Sequence, residues 1–369
     1  MSTCSKIVAL LLAAAACAAF AQSGRLDSRS TMHITLPEDS PVSVISADWG
    51  ESNATPRGGA MLLDLHTSLV LKNSGQRRIR GITLLVQAQE VTPGGRASVS
   101  VPSLNVAPGQ TFPVRIDLNL LRPLQVGSGA LVEIALDGIL FDDLSFFGPN
   151  RLNSRRSMTV WELEAMRDRQ HYKEVLQSRG REGLRAEMIA SLNRQADRTQ
   201  MDARVSAGRA TATTSGRQVQ LAFLSAPNAP VVAEQGFARV ANDEARSPQI
   251  HMRNQSDRPV ESVELGWIVK DARGREYVSG GIPVEVAIAP RARSKVVQDS
   301  SFRFSDAGGR GIAIESMTAF LSSVEFSDGK MWVPERSQHL PTPSPEEQRL
   351  VDLYRRKGID VLVEELKRY

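Results

Sequence analysis

Along residues 31–149, apolar side chains alternate with polar ones at period two, in short runs broken by Gly, Pro and Asn clusters. Ile82, Leu84, Val86 and Ala88 alternate with mostly polar neighbours, Leu85 being the exception, and Val132, Ile134 and Leu136 do so around Glu133 and Ala135. That pattern places one face of a strand in a core and the other in water. Asn73-Ser74-Gly75, Pro93-Gly94-Gly95 and Pro108-Gly109 each separate two such runs, since these residue types favour tight turns over strand interiors. Several short strands at this spacing predict an antiparallel β-sandwich over residues 30–150.

Residues 217–335 repeat the plan at a nearly constant offset. Leu71-Lys72-Asn73 matches Met252-Arg253-Asn254, Ile79 falls on Val260, and Ile82, Leu84, Val86 and Ala88 fall on Val263, Leu265, Trp267 and Val269. Further on, Val106-Ala107-Pro108 matches Ile288-Ala289-Pro290, and Phe141-x-Asp143 matches Phe326-x-Asp328. The offset drifts slowly, as small loop insertions would make it. A second sandwich over 217–335 is therefore expected, with turns at Asp271-Ala272-Arg273-Gly274 and Asp328-Gly329.

Between the copies the period changes to that of a helix. Thr159-Val160-Trp161-Glu162 has the spacing of a capping box, and Trp161, Ala165, Tyr172 and Leu176 follow one stripe up to Gly180. A second helix carries Leu184, Met188, Ile189 and Leu192, which predicts a helical hairpin over 157–197. Residues 198–216, rich in Ala, Thr, Ser, Gly and Arg, read as a flexible linker. Ser344-Pro345-Glu346-Glu347 opens a C-terminal helical hairpin over 344–369, interrupted at Gly358. Gly180, Leu184 and Glu187 match Gly358, Leu362 and Glu365, which extends the repeat to a sandwich followed by a hairpin.

The N-terminus changes the picture by placing the chain outside the cytoplasm. Lys6, the apolar run Ile7–Ala16 and Ala19-Phe20-Ala21 form the three parts of a signal peptide over residues 1–21, so a periplasmic or extracellular location is expected. Cys17 offers a competing lipid-attachment site after Ala14-Ala15-Ala16. The two cysteines, Cys4 and Cys17, both precede the cleavage point, which removes disulfides and thiolate chemistry from the expected mature chain. No later stretch is apolar enough for a transmembrane span. Net charge is +4, and 37 of the 45 basic residues are arginine, which reads as a coding bias rather than an anion-binding surface.

Candidate chemistry is sparse. His33, His66, His171, His251 and His339 stand at no metal-ligand spacing from one another, and no nucleophile elbow, zinc-protease helix or dinucleotide or nucleotide loop occurs. Asp142-Asp143 are adjacent strand-end residues pointing to opposite faces, unlike an acid and base that share one bond. Gly308-Gly309-Arg310-Gly311 reads as a loop joining strands. No catalytic, cofactor-binding or metal-binding residue is expected, and no cofactor. Trp49, Trp332, Phe146 and Phe147 are candidates for stacking on sugars, although Trp267 and Trp332 read better as core. Arg151, Arg155, Arg156, Arg179, Arg181, Arg185 and Arg194 are candidates to meet anionic lipid headgroups or cell-wall polymers, the plainer reading being a solvated helix face laced with ion pairs. Nucleic acid is not an expected partner, because no basic patch is interleaved with aromatics.

The stretches Leu69–Ala88 and Ile250–Gly274 share an apolar-x-apolar-basic-Asn segment, a few turn residues and an alternating strand. In this they resemble the immunoglobulin-like (fibronectin type III-like) repeats of uncharacterised bacterial secreted proteins. That resemblance implies a mainly β fold with α, namely two antiparallel immunoglobulin-like β-sandwiches, each followed by a helical hairpin. It implies no activity. Two-domain periplasmic chaperones of pili share a similar sandwich pair, but the long helical insertion departs from them and no functional residue carries over. The expectation is a non-enzymatic structural or protein-interaction module of the cell envelope, whose partner is another envelope or extracellular protein. A carbohydrate- or cell-wall-binding module is the alternative.

Overall fold

A computed structural model describes residues 24–25, 32–89, 93–124, 130–197, 199–207, 216–297, 300–336 and 341–369. The expected signal peptide, Cys17 and His339 lie outside the described residues. The chain divides into two compact units, Met1–Glu162 and Leu163–Tyr369.

The first unit holds two five-stranded sheets. One is built from β1 (Gly24–Arg25), β3 (Val42–Asp48), β4 (Asn53–Arg57), β5 (Ala60–Asn73) and β8 (Thr111–Pro123). The other comprises β2 (Met32–Thr35), β6 (Ile79–Gln87), β7 (Arg96–Val101), β9 (Val132–Phe141) and β10 (Phe146–Phe147). Alternate residues of both sheets enter one core: Leu63, Leu65, Leu69 and Leu71 from β5, Val114 and Ile116 from β8, Ile82, Leu84 and Val86 from β6, Ile134 and Leu136 from β9. Burial of these side chains, at about 25 cal/mol per Å² of apolar surface, is the main force holding the sheets together.

In the second unit the strands β11 (Thr199–Ala207), β12 (Arg217–Leu224), β13 (Val231–Ala241), β14 (Glu244–Asn254), β15 (Val260–Lys270), β16 (Glu276–Ile288), β18 (Ser300–Asp306) and β19 (Ser316–Phe326) form a closed ring of eight. Strands β17 (Arg293–Val297) and β20 (Met331–Trp332) pair outside it, with β14 and β19. Two strands that change partners along their length close the ring. Thr199 and Gln200 of β11 pair with β16, and Met201–Ala207 pair with β18. Arg217–Gln220 of β12 pair with β13, and Leu221–Leu224 with β19. Trp267, Phe302 and Phe304 fill the interior, with ring centroids 5.7 and 6.4 Å apart.

Two immunoglobulin-like sandwiches are therefore not the architecture. Except for β11, the ring's strands have counterparts in the first unit in the same order: β2 runs parallel to β9 as β12 does to β19, and β8 pairs with β5 as β18 does with β14. The strand β11 comes from the stretch expected to be a flexible linker, residues 198–216. By joining β18 to β16 it shuts one of the two sides that stay unjoined among the described residues of the first unit, that between β8 and β7; the other, between β2 and β3, is shut in the ring by β12 pairing with β13.

Helix α1 (Ser154–Ala196) and helix α2 (Pro345–Lys367) are each broken at a glycine, Gly180 (φ 65°, ψ −166°) and Gly358 (φ 82°, ψ −178°). The expected capping box at Thr159 is corrected. The helix begins at Ser154, and Thr159 sits inside it with its hydroxyl donating to the Arg155 carbonyl at 2.7 Å. Nor does each sandwich keep its own hairpin. Tyr172, Val175, Leu184 and Met188 of α1 share one core, within the second unit, with Leu350, Val351, Leu362 and Leu366 of α2. Ser344 caps α2 by accepting from the Glu347 amide at 3.0 Å. No helix among the described residues is long and apolar enough to cross a membrane.

Candidate functional site

A polar exposed surface of the first unit lies on β5 and β8, where period-two alternation puts Asp64, His66, Arg115, Asp117 and Asn119 on the solvent face. Antiparallel register sets His66 opposite Asp117 and Asp64 opposite Asn119. His66 Nδ1 lies 3.0 Å from Asp117 Oδ1 and its Nε2 lies 3.2 Å from Asp64 Oδ1, while Arg115 Nε lies 3.1 Å from Asp117 Oδ2. The hydrogen bond to Asp117 outweighs the opposing effect of desolvation and, with the charges of Asp64 and Asp117, raises the His66 pKa above the ordinary 6.5. The backbone beneath is fixed by the 49–52 turn: Ser52 Oγ accepts from the His66 amide at 2.9 Å, where β5 has passed from pairing with β4 to pairing with β3. Gly50, at φ +54°, lies so close that a Cβ there would come within 2.2 Å of the His66 carbonyl oxygen.

Beside this array runs an open strand edge. Among the described residues β8 pairs with β5 alone. Its even-numbered backbone groups face β5, as Gln110 shows by accepting from the Asn73 amide at 2.9 Å. Its odd-numbered groups face away, as Leu121 shows by donating to the Gly94 carbonyl at 2.9 Å. Pro113 lies on the outward set, where a proline leaves the sheet's own ladder intact. The N–H and C=O of Arg115, Asp117 and Asn119 thus point outward and are paired with no strand among the described residues, while β7 runs close to part of β8.

The second unit carries a charged cleft of about 380 Å³ lined by Arg273, Arg275, Tyr277, Asp306 and Arg310. Two turns of the form Asp-Ala-x-Gly-Arg build it. Asp271 Oδ1 accepts from the amides of Arg273 and Arg275, and its Oδ2 accepts from Arg275 Nε at 2.8 Å. Asp306 repeats this with Gly308, Arg310 and Arg310 Nε at 3.0 Å. Gly274 (φ 80°) and Gly309 (φ 75°) supply the left-handed residue that each turn needs. Sequence inspection passed over this pair, although Asp271–Arg275 and Asp306–Arg310 are legible as one pattern. The 308–311 loop is half of it.

No protein-family model matches the chain, and no curated protein does. Among solved structures, a red sea bream transglutaminase aligns with 81% of this chain at 9% identity and a TM-score of 0.13. The chain spans 32% of that protein's length. A vicilin from hazelnut aligns with 74% of this chain and 88% of its own at 11% identity and a TM-score of 0.08. At those scores neither likeness extends to a shared fold.

The other residues singled out from sequence sit apart from these surfaces. His33 is exposed on β2, and His251 is half-buried on β14. His171 stacks edge-on against Tyr172, and burial lowers its pKa, with Arg336 adding to the effect. Asp143 binds the Ser145 amide at 3.0 Å and pairs with Arg77 at 3.6 Å, while Asp142 is exposed beside it. Trp49 and Phe147 pack against the first core and Trp332 against the second, and Phe146 covers Gly138, so these rings are engaged in packing. Arg179, Arg181, Arg185 and Arg194 pair with Glu187, Asp360, Glu182 and Glu347. Among the described residues no group of three or more His, Cys, Asp or Glu could hold a metal ion.

Proposed function

We propose that this chain is a non-enzymatic binding protein of the cell envelope, exported under the leader expected at residues 1–21, and that its first unit takes up an extended strand from a protein partner. The observation that carries the reading is the β8 edge: outward backbone groups at Arg115, Asp117 and Asn119, flanked by a fixed array of charges on the adjoining face. An edge of this kind supplies affinity through main-chain hydrogen bonds, and the flanking charges select the partner. His66 between two carboxylates lies on an open sheet face with no nucleophile in contact with it, an arrangement suited to recognition. A photo-crosslinking residue at Asn119 of the full chain, in cells of the source organism, tests this. Reproducible adducts to one protein are expected, absent when the probe replaces Glu261 on β15. Equal adducts at both positions, or none at either, would overturn it.

The paired arginine turns of the second unit favour a second reading, a module for carbohydrate or wall polymer bearing acidic groups, since Arg275 and Arg310 are each held in place by an aspartate. Co-sedimentation with purified wall polymer that is lost in Arg275→Ala/Arg310→Ala would support this reading. Unchanged co-sedimentation of that variant would remove it.

A further inference from the structure

We propose that the occupant of the β8 edge is a second copy of this chain, the two β8 strands pairing antiparallel about a two-fold axis through Ile116. This rests on the reading that the edge takes up a strand, and it names the strand.

The second unit shows what this side of the strand accepts. The counterparts of β8 are β17 and β18 in turn, both bonded to β14: β18, which matches β8 from Leu118 on, receives β11 antiparallel along Ser300–Asp306, while β17, which matches Thr111–Arg115, pairs with β14 alone among the described residues. The first unit has no equivalent of β11 in its described residues, and its short β1 is committed to β4. The order of residues on β8 then selects both partner and register. Arg115 and Asp117 flank Ile116, and both have outward backbone groups and solvent-facing side chains. With the axis through Ile116, each Arg115 lies opposite the Asp117 of the other copy, exchanging two backbone hydrogen bonds and bringing guanidinium against carboxylate on both sides of the axis. The next outward pair sets the Asn119 amide against the Pro113 carbonyl, while the Asn119 carbonyl, facing the proline nitrogen, gains no donor there, so that pair contributes one hydrogen bond instead of two. On the inner face the half-buried Leu118 meets the second copy's Val114.

Neighbouring registers are worse. An axis through Arg115 or Asp117 sets like charges opposite each other, and an axis through Val114 or Leu118 parts the arginine from the aspartate. Arg115 can make the exchange, because its side chain is 80% exposed and among the described residues is held along its edge by Asp117. The strand thus discourages most edge partners through its proline and charges while remaining complementary to itself.

Sedimentation equilibrium of the full chain, with amide exchange followed at low and high protein concentration, tests the proposal. The expected result is a reversible dimer whose Arg115, Asp117 and Asn119 amides gain protection as concentration rises. Asp117→Arg alone and Arg115→Asp alone each weaken association at least about tenfold, because each sets like charges opposite one another. The double exchange Arg115→Asp/Asp117→Arg restores it. Recovery in the double variant separates lost pairing from lost folding. A monomer throughout the micromolar range that still gives Asn119 adducts to a different protein overturns the second-copy proposal and leaves the edge reading standing. A monomer without adducts overturns both. Association unaffected by the single exchanges, or not recovered in the double, overturns the proposal of this register.

Discussion

Asn73 and Asn254 are the residues that do the same work in both units. Each is fully buried at the end of a strand, and each amide nitrogen donates to backbone carbonyls across a corner: Arg77 and Val106 for Asn73, Arg258, Ile288 and Ala289 for Asn254. Their side-chain oxygens accept from the amides of Gly75 and Ser256. The following arginine completes the corner, with Arg77 stacked 3.9 Å over Phe141 beside Asp143, and Arg258 3.9 Å over Phe326 beside Asp328. Removing a buried donor leaves those carbonyls dry and unpaired. Asn73→Ala is expected to cost about 2–4 kcal/mol in chemical denaturation, with a similar loss for Asn254→Ala. At the charged face, Asp117 is the main cause of the raised His66 pKa, so Asp117→Asn should bring the His66 titration, followed by NMR, down toward 6.5. Since the folded-state value is the higher one, the stabilising share of this contact is present below the unfolded value and fades as pH rises through the folded one. These corners were legible in sequence as matched Asn and Phe-x-Asp positions. The pairing of His66 with Asp117 was not, because the two meet only through strand register.

At the scale of elements, a buried charge cluster ties α2 and its leading segment to α1 within the second unit. Arg336 places NH1 2.9 Å from Asp168 Oδ1 and NH2 2.8 Å from both Glu347 Oε1 and the Tyr172 hydroxyl, with its guanidinium 4.6 Å over the Tyr172 ring. Burial opposes ionisation of Asp168, but Arg167, Arg336 and Ser344 outweigh it and hold its carboxyl below the usual range. Deleting one partner from such a cluster strands the others without water. Arg336→Ala is expected to destabilise the second unit by about 3–5 kcal/mol, measured by denaturant unfolding. The helical stripe through Tyr172, Leu184 and Met188 was readable from period alone, as was the cap at Ser344. That one stripe would close on the other, and that Asp168, Glu187 and Glu347 would gather around Arg336, depends on contacts between residues some 170 positions apart in sequence, such as Arg336 and Asp168.

At the scale of the whole units, two pairings set the closed ring apart from the open sheets of the first unit: β11 between β18 and β16, and β12 on β13, whose counterparts β2 and β3 are not paired among the described residues. Phe304 donates to the Asp243 carbonyl, so the bonds from β18 to β11 come from alternate residues, among them Arg303 opposite Arg204. Arg204→Pro removes the N–H at that pair and should open the ring, seen as lost exchange protection at Ser301, Arg303 and Ser305 while the β15–β19 ladder keeps its own. The sequence by itself determined where most strands, turns and helices fall, β11 and the start of α1 excepted, and that two stretches share one plan, because period-two and period-3.6 burial and the geometry of Asn and Gly are local properties. Closure was decided only in three dimensions. A strand of a closed ring and a strand of an open sheet alternate alike, and the period-two alternation of Met201, Ala203, Val205 and Ala207 lies in a stretch otherwise rich in Ala, Thr, Ser, Gly and Arg. Its place is fixed by the unpaired edges of β16 and β18, which exist only once those strands have folded. The same long-range pairing leaves β8 open in the first unit, and with it the surface on which the proposed function depends.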